Sequence, residues 1–136
     1  MKPRILVVDD NPDLRQMLLC TLEPFAEASQ ASNGIDALRL IRDLKPRLML
    51  LDVGMPEMGG LELLQSAFLI DPNMIVVMLT GEFDLAVAAR ALDLGARTYI
   101  TKPFESDVLC AEIRRLLGVS PEDRALAPYR PWRVAA

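Results

Sequence analysis

Histidine is absent from the 136 residues. Its absence removes the commonest metal ligand, the commonest general base near neutral pH and any phosphohistidine formed on these residues. Zinc chemistry and Ser-His or Cys-His nucleophiles go with it, so catalysis has to rest on carboxylates, hydroxyls and lysine. Cysteine is scarce: Cys20 and Cys110 stand far apart, each inside an apolar-periodic stretch. They make no disulfide framework and are expected to be reduced core thiols of a cytoplasmic protein. Long hydrophobic runs are missing too, although 51% of the residues are hydrophobic. A membrane span needs about 20 apolar residues, whereas runs such as Met74 to Leu79 have the size of buried strands. After Lys2 and Arg4 only Ile5 to Val8 are apolar before two aspartates, so no secretory signal is expected. Nor is there a Lys/Arg block. The 19 acidic and 15 basic residues give a net charge of -4, which argues against nucleic acid as a direct partner.

What is present is an alternation of short aliphatic runs with longer amphipathic stretches, five times over, in a length that suits one domain. Strands are expected at Arg4 to Val8, Phe25 to Gln30, Arg47 to Leu51, Met74 to Leu79 and Arg97 to Thr101. The first, third and fourth are continuously apolar, as strands covered on both faces are, and belong in the centre of a parallel sheet. The more mixed second and fifth belong at its edges. Asn11-Pro12 reads as a helix cap followed by proline at the first helical position. Further helices are expected at about Ile35 to Leu44, Leu61 to Ile70, Asp84 to Leu94 and Ser106 to Leu117, the last two closed by Gly95 and Gly118. With right-handed crossovers this is a doubly wound α/β sandwich. Beyond Gly118, Pro121, Pro128 and Pro131 break any helix, and the tail carries the single tryptophan, Trp132.

Ligands of open parallel sheets bind outside the carboxyl ends of the strands. Here the first run ends in Asp9-Asp10, the third in Asp52, the fourth in Thr80 and the fifth in Thr101-Lys102. One aspartate after a strand is usually a turn or cap residue; three carboxylates, a hydroxyl and an ammonium at one edge are hard to explain as caps. Clustered carboxylates repel unless a cation intervenes. An oxygen-only set without histidine or thiolate suits Mg²⁺ or Mn²⁺. Such an ion leaves positions for phosphate oxygens, Lys102 adds a second positive charge, and aspartate is a competent nucleophile toward phosphorus. These residues point to an aspartyl-phosphate site.

Ile5 to Asn11, Leu50-Leu51-Asp52 with Met55-Pro56, Met58 and Gly60, Val77 to Gly81, Gly95-Ala96, Tyr99 and Lys102-Pro103-Phe104 together resemble the CheY-like receiver domain of two-component response regulators. The resemblance covers roughly residues 3 to 118, giving a receiver at 1–118 and a tail or truncated linker at 119–136. It implies a five-stranded (β/α)5 flavodoxin-like sandwich with strand order 2-1-3-4-5. Asp52 is implied as phosphoacceptor. Asp10 and Asp52 are implied as Mg²⁺ ligands by side chain, Gly54 by its backbone carbonyl and Asp9 mainly through a coordinated water. Lys102 would contact the phosphoryl group behind a cis Lys102-Pro103 bond. Thr80 and Tyr99 would form the switch that alters the face of the fourth helix, fifth strand and fifth helix.

The implied partners are a sensor histidine kinase or phosphotransfer protein as donor and a downstream protein target at that face, with no nucleic acid or membrane contact. A homodimer is compatible with this reading. Apart from its own phosphorylation and dephosphorylation, no enzymatic turnover is implied. Gly54 and Glu82 occupy the positions implied to tune the lifetime of the phosphoryl group. Haloacid-dehalogenase-like phosphohydrolases fit less well, because their nucleophile lies in an Asp-x-Asp element after the first strand. A flavin-binding domain would place a phosphate against Asp9-Asp10. A receiver-like scaffold that takes no phosphate is disfavoured by the intact five-position site. Tyr129 and Trp132 are candidates for docking on the output face.

Overall fold

The computed structural model describes residues 2–52, 59–81 and 85–118. Gly54, Glu82, Asp84, Met55, Pro56, Met58 and the 119–136 tail with Tyr129 and Trp132 lie outside the described residues. Ten elements alternate along the chain: β1 (Arg4–Val8), α1 (Pro12–Leu22), β2 (Glu27–Ala31), α2 (Gly34–Leu44), β3 (Leu48–Asp52), α3 (Gly60–Ile70), β4 (Ile75–Gly81), α4 (Leu85–Asp93), β5 (Thr98–Lys102) and α5 (Ser106–Gly118). Their local causes are visible in the sequence. The Asn11 side chain accepts from the backbone N–H groups of Asp13 (2.9 Å) and Leu14 (3.3 Å) and so starts α1, with Pro12 where no N–H is required. Asn33 starts α2 by accepting from Asp36 N–H at 2.9 Å.

The strands form one parallel sheet in the order β2-β1-β3-β4-β5, the flavodoxin-like order expected. The mixed strands β2 and β5 are its edges, while all five residues of β3 are buried. Alternate side chains feed two cores. Leu6, Val8, Met49, Leu51, Val76 and Met78 pack with residues of α2, α3 and α4. Ile5, Val7, Leu48, Leu50, Val77, Leu79 and Ile100 pack with α1 and α5. Among the described residues no helix is long and apolar enough to cross a membrane.

Several boundaries differ from expectation for physical reasons. β2 starts at Glu27 rather than Phe25, because the Phe25 and Ala26 N–H groups are spent on the Leu22 carbonyl at the end of α1. β4 continues through Thr80 to Gly81, so Thr80 is inside the strand. Gly118 is the last residue of α5 instead of lying beyond it. Cys20 is exposed and Cys110 half-buried, so the two free thiols are not core residues. Cys20 lies on the face of α1 opposite the buried Leu18 and Leu22, where helical periodicity permits a polar contact as readily as an apolar one.

Gly95 closes α4 as expected. Its φ is +118°, its N–H meets the Leu92 carbonyl at 3.1 Å, and the Ala96 N–H meets the Ala91 carbonyl at 2.9 Å, a Schellman pattern. A Cβ at this position would stand 2.9 Å from Phe68 Cε2. Gly95→Ala is therefore expected to destabilise the protein by ~2 kcal/mol, from left-handed strain plus displacement of the Phe68 ring. An unchanged urea midpoint would contradict this.

Candidate functional site

Strand register assembles the acidic group. Val8 pairs with Leu51, so the next residues of the two strands, Asp9 and Asp52, come side by side. Asp52 is opposite Leu79, Thr80 is opposite Thr101, and Gly81 is opposite Lys102. By strand alternation Asp9, Asp52 and Lys102 share the α1/α5 side of the sheet with Val7, Leu50 and Ile100. Asp9 is fully buried, Asp52 is buried and Asp10 is exposed, yet each offers a carboxylate oxygen within 4.8 Å of those of the other two.

One cation enters this group. Lys102 Nζ stands 3.1 Å from Asp52 Oδ1 and 3.3 Å from Asp9 Oδ2. The other oxygen of Asp9 accepts from the Asn11 backbone N–H at 2.9 Å. Burial pushes the Asp9 carboxyl above its ordinary range; the Asn11 N–H opposes this, the neighbouring Asp52 charge adds to it, and Lys102 opposes it. Burial also pulls the Lys102 ammonium down, but the Asp52 and Asp9 carboxylates outweigh it and its pKa ends above the usual lysine value. The Lys102-Pro103 peptide is cis.

The donor set fits a hard divalent cation: carboxylate oxygens only, no nitrogen or sulfur ligand among the described residues, and an exposed member, Asp10, opening the group to solvent. Gly54 lies outside the described residues. Thr80 and Tyr99 occupy the other side of the sheet, facing α4. Thr80 is buried and its hydroxyl donates to the Gly81 carbonyl at 3.0 Å. Tyr99, opposite Met78 and two residues from Thr80 in register, is half-buried against the α2/α3/α4 core rather than standing free at the edge.

A residue that sequence reasoning missed is Arg15. Its Nη1 donates to the Asp9 main-chain carbonyl at 2.8 Å and its Nε to Gln30 Oε1 at 2.8 Å. The available signal was weak: Arg15 stands one helical turn after the Asn11 cap, on the side of α1 that follows Leu14 and Leu18 toward the sheet.

This geometry has known counterparts. The family model of the response regulator receiver domain matches residues 5–114. The chain belongs to that family. Among curated relatives of this receiver domain, the chemotaxis protein CheY of Thermotoga maritima is 34% identical over 107 residues, which cover 77% of this chain and 89% of CheY. The DNA-binding response regulator MtrA of Mycolicibacterium smegmatis is 36% identical over 127 residues, 92% of this chain but 55% of MtrA, so the chain spans about half of that relative. The crystal structure of the NtrX receiver domain from Brucella abortus superposes with a TM-score of 0.81 at 35% identity, covering 85% of this receiver domain and 99% of that chain. A CheY-like receiver domain from Methanospirillum hungatei gives 0.83 at 30% identity over 93% and 100%.

Proposed function

We propose that this receiver domain is a phosphorylation switch in which Asp52 accepts a phosphoryl group from a phosphohistidine of a sensor histidine kinase or phosphotransfer protein. The observation that carries the reading is the ammonium of Lys102 held between Asp52 and Asp9, within a three-carboxylate group. In the transfer an Asp52 carboxylate oxygen bonds to phosphorus as the phosphorus–nitrogen bond of the donor breaks. The electron pair returns to the imidazole, which takes its proton from solvent.

Lys102 Nζ already touches one oxygen of the Asp52 carboxylate, so its positive charge stands beside the group at which the phosphoryl oxygens would arrive. Asp10 and Asp52 would hold Mg²⁺ or Mn²⁺ directly, with the Gly54 carbonyl, and Asp9 through water; the ion supplies charge neutralisation at the phosphoryl oxygens. Asp9 keeps Lys102 in place and is itself oriented by Asn11. Thr80 would give up its bond to the Gly81 carbonyl to donate to the phosphoryl group, and Tyr99, its neighbour on the same face, would respond. The surface of α4, β5 and α5 is then the output face for a downstream protein, biased by the charge at Asp52.

The domain turns over no separate substrate, catalysing only its own phosphorylation and dephosphorylation, and a cytoplasmic location goes with this role. DNA binding belongs to the MtrA relative as described; for this receiver domain direct nucleic-acid contact is not proposed.

The test is intact mass after incubation with acetyl phosphate. A gain of one phosphoryl group with MgCl₂ and none with EDTA is expected. No gain in the presence of Mg²⁺ would overturn the reading.

A further inference from the structure

The turn carrying Asp9 and Asp10 is held from two directions. From within the acidic group, the Asp9 carboxylate accepts from Asn11 N–H and Lys102. From outside, the Asp9 main-chain carbonyl accepts from Arg15 Nη1, while the same guanidinium donates through Nε to Gln30. One side chain thus spans the end of β1, the first turns of α1 and the edge strand β2. Gln30 is exposed, so burial in the core does not fix its side chain; its Oε1 accepts from Arg15 at 2.8 Å.

We propose that Arg15, braced by Gln30, is a positioning residue for the divalent-cation pocket. The inference rests on the reading of the three carboxylates as a Mg²⁺ site. The carbonyl that Arg15 holds belongs to the peptide joining Asp9 to Asp10, so the bond fixes the plane of that peptide and with it the direction in which the Asp10 side chain leaves the backbone. Asp10 is the exposed member of the group and is otherwise the least constrained by packing. Guanidinium suits this task because its donors are set in a rigid fork; a lysine ammonium carries the charge but cannot occupy the Nε and Nη1 positions together.

A cation beside three carboxylates has a rival role, namely relief of their mutual repulsion through its field, and the two roles predict opposite signs. If Arg15 acts by its field alone, removing it leaves the acidic group more negative and Mg²⁺ binds equally well or more tightly. If it acts by position, Mg²⁺ binds more weakly.

Titration calorimetry with MgCl₂ on the full chain separates them. Arg15→Gln is expected to weaken Mg²⁺ binding roughly tenfold, the low end for outer partners of metal ligands. Arg15→Lys is expected to be no better, and Gln30→Ala, at an exposed position of the edge strand, to weaken it about threefold. The double variant should bind no worse than Arg15→Gln, because Gln30 acts through Arg15. Urea midpoints without metal confirm that each variant is folded. Undiminished affinity in both Arg15→Gln and Gln30→Ala overturns the positioning role alone, whereas a wild-type chain without Mg²⁺ affinity overturns the site reading and this inference with it.

Discussion

Asp52→Asn is expected to lower the rate of phosphoryl gain from acetyl phosphate by at least ~10³-fold while leaving the fold intact. The amide is close in shape to the carboxylate but its lone pairs are delocalised, so it is a poor nucleophile toward phosphorus. Structure should survive, because Asp52 ends a strand whose other four residues are buried aliphatic side chains and methionine. Lys102 also keeps its contact with Asp9 in the variant. Intact mass against time reads the rate, and an unfolding free energy from urea titration within ~1 kcal/mol of wild type reads the fold. If the gain persists in Asp52→Asn, the acceptor is another carboxylate of the group, and the proposed mechanism fails.

Lys102→Met has the second largest expected effect and acts on both chemistry and stability. The phosphorylation rate should fall about 100-fold, the scale for removing one preorganised charge stabiliser. Stability near neutral pH should fall by ~2 kcal/mol, below the figure for a fully buried pair, because the lysine is 29% exposed. The sign of the pH dependence follows from Asp9. Burial already holds its carboxyl above the ordinary range with Lys102 present, and removing the ammonium raises it further. The folded variant then takes up a proton at a pH where the unfolded chain has already released it. Its deficit relative to wild type is therefore full at neutral pH and narrows on acidification. In the wild type the contribution of Lys102, whose pKa is raised, persists below the ordinary lysine value and is lost only as pH rises through the folded value. Unfolding free energies of both proteins from urea titrations at neutral pH and at mildly acidic pH measure the narrowing, because a raised carboxyl is protonated first on acidification. A deficit that widens on acidification would refute the assignment.

Much of the fold was legible because this sheet is covered on both faces. Continuous apolar runs marked β1, β3 and β4 as central, and the mixed runs Phe25 to Gln30 and Arg97 to Thr101 marked the edges that β2 and β5 form. Asp9, Asp52 and Lys102 were legible as a group because parallel register aligns strand ends, so sequence position at the end of a run becomes spatial proximity. Side-chain state was less so. The exposure of Cys20 depends on which face of an amphipathic helix meets the sheet, and an apolar neighbourhood in sequence does not reveal that. Thr80 lies within β4 because pairing with Thr101 prolongs the ladder beyond the last aliphatic residue. The Arg15 to Gln30 contact joins a helix to a strand through polar atoms and leaves no hydrophobic period to read.

Beneath the three carboxylates lie buried central strands. Ile5 to Val8 and Leu48 to Asp52 are buried on central strands, which open only when the whole domain opens. Such a floor has little compliance, so a group added at Asp52 cannot be accommodated by local sagging beneath it. On the β2 side the rim is strapped by Arg15. On the β5 side, Tyr99, Thr101 and Lys102 are only half-buried. A displacement that began at Asp52 would therefore meet less packing toward β5 than toward β2, and the proposed switch would work as a lever turning on the central strands.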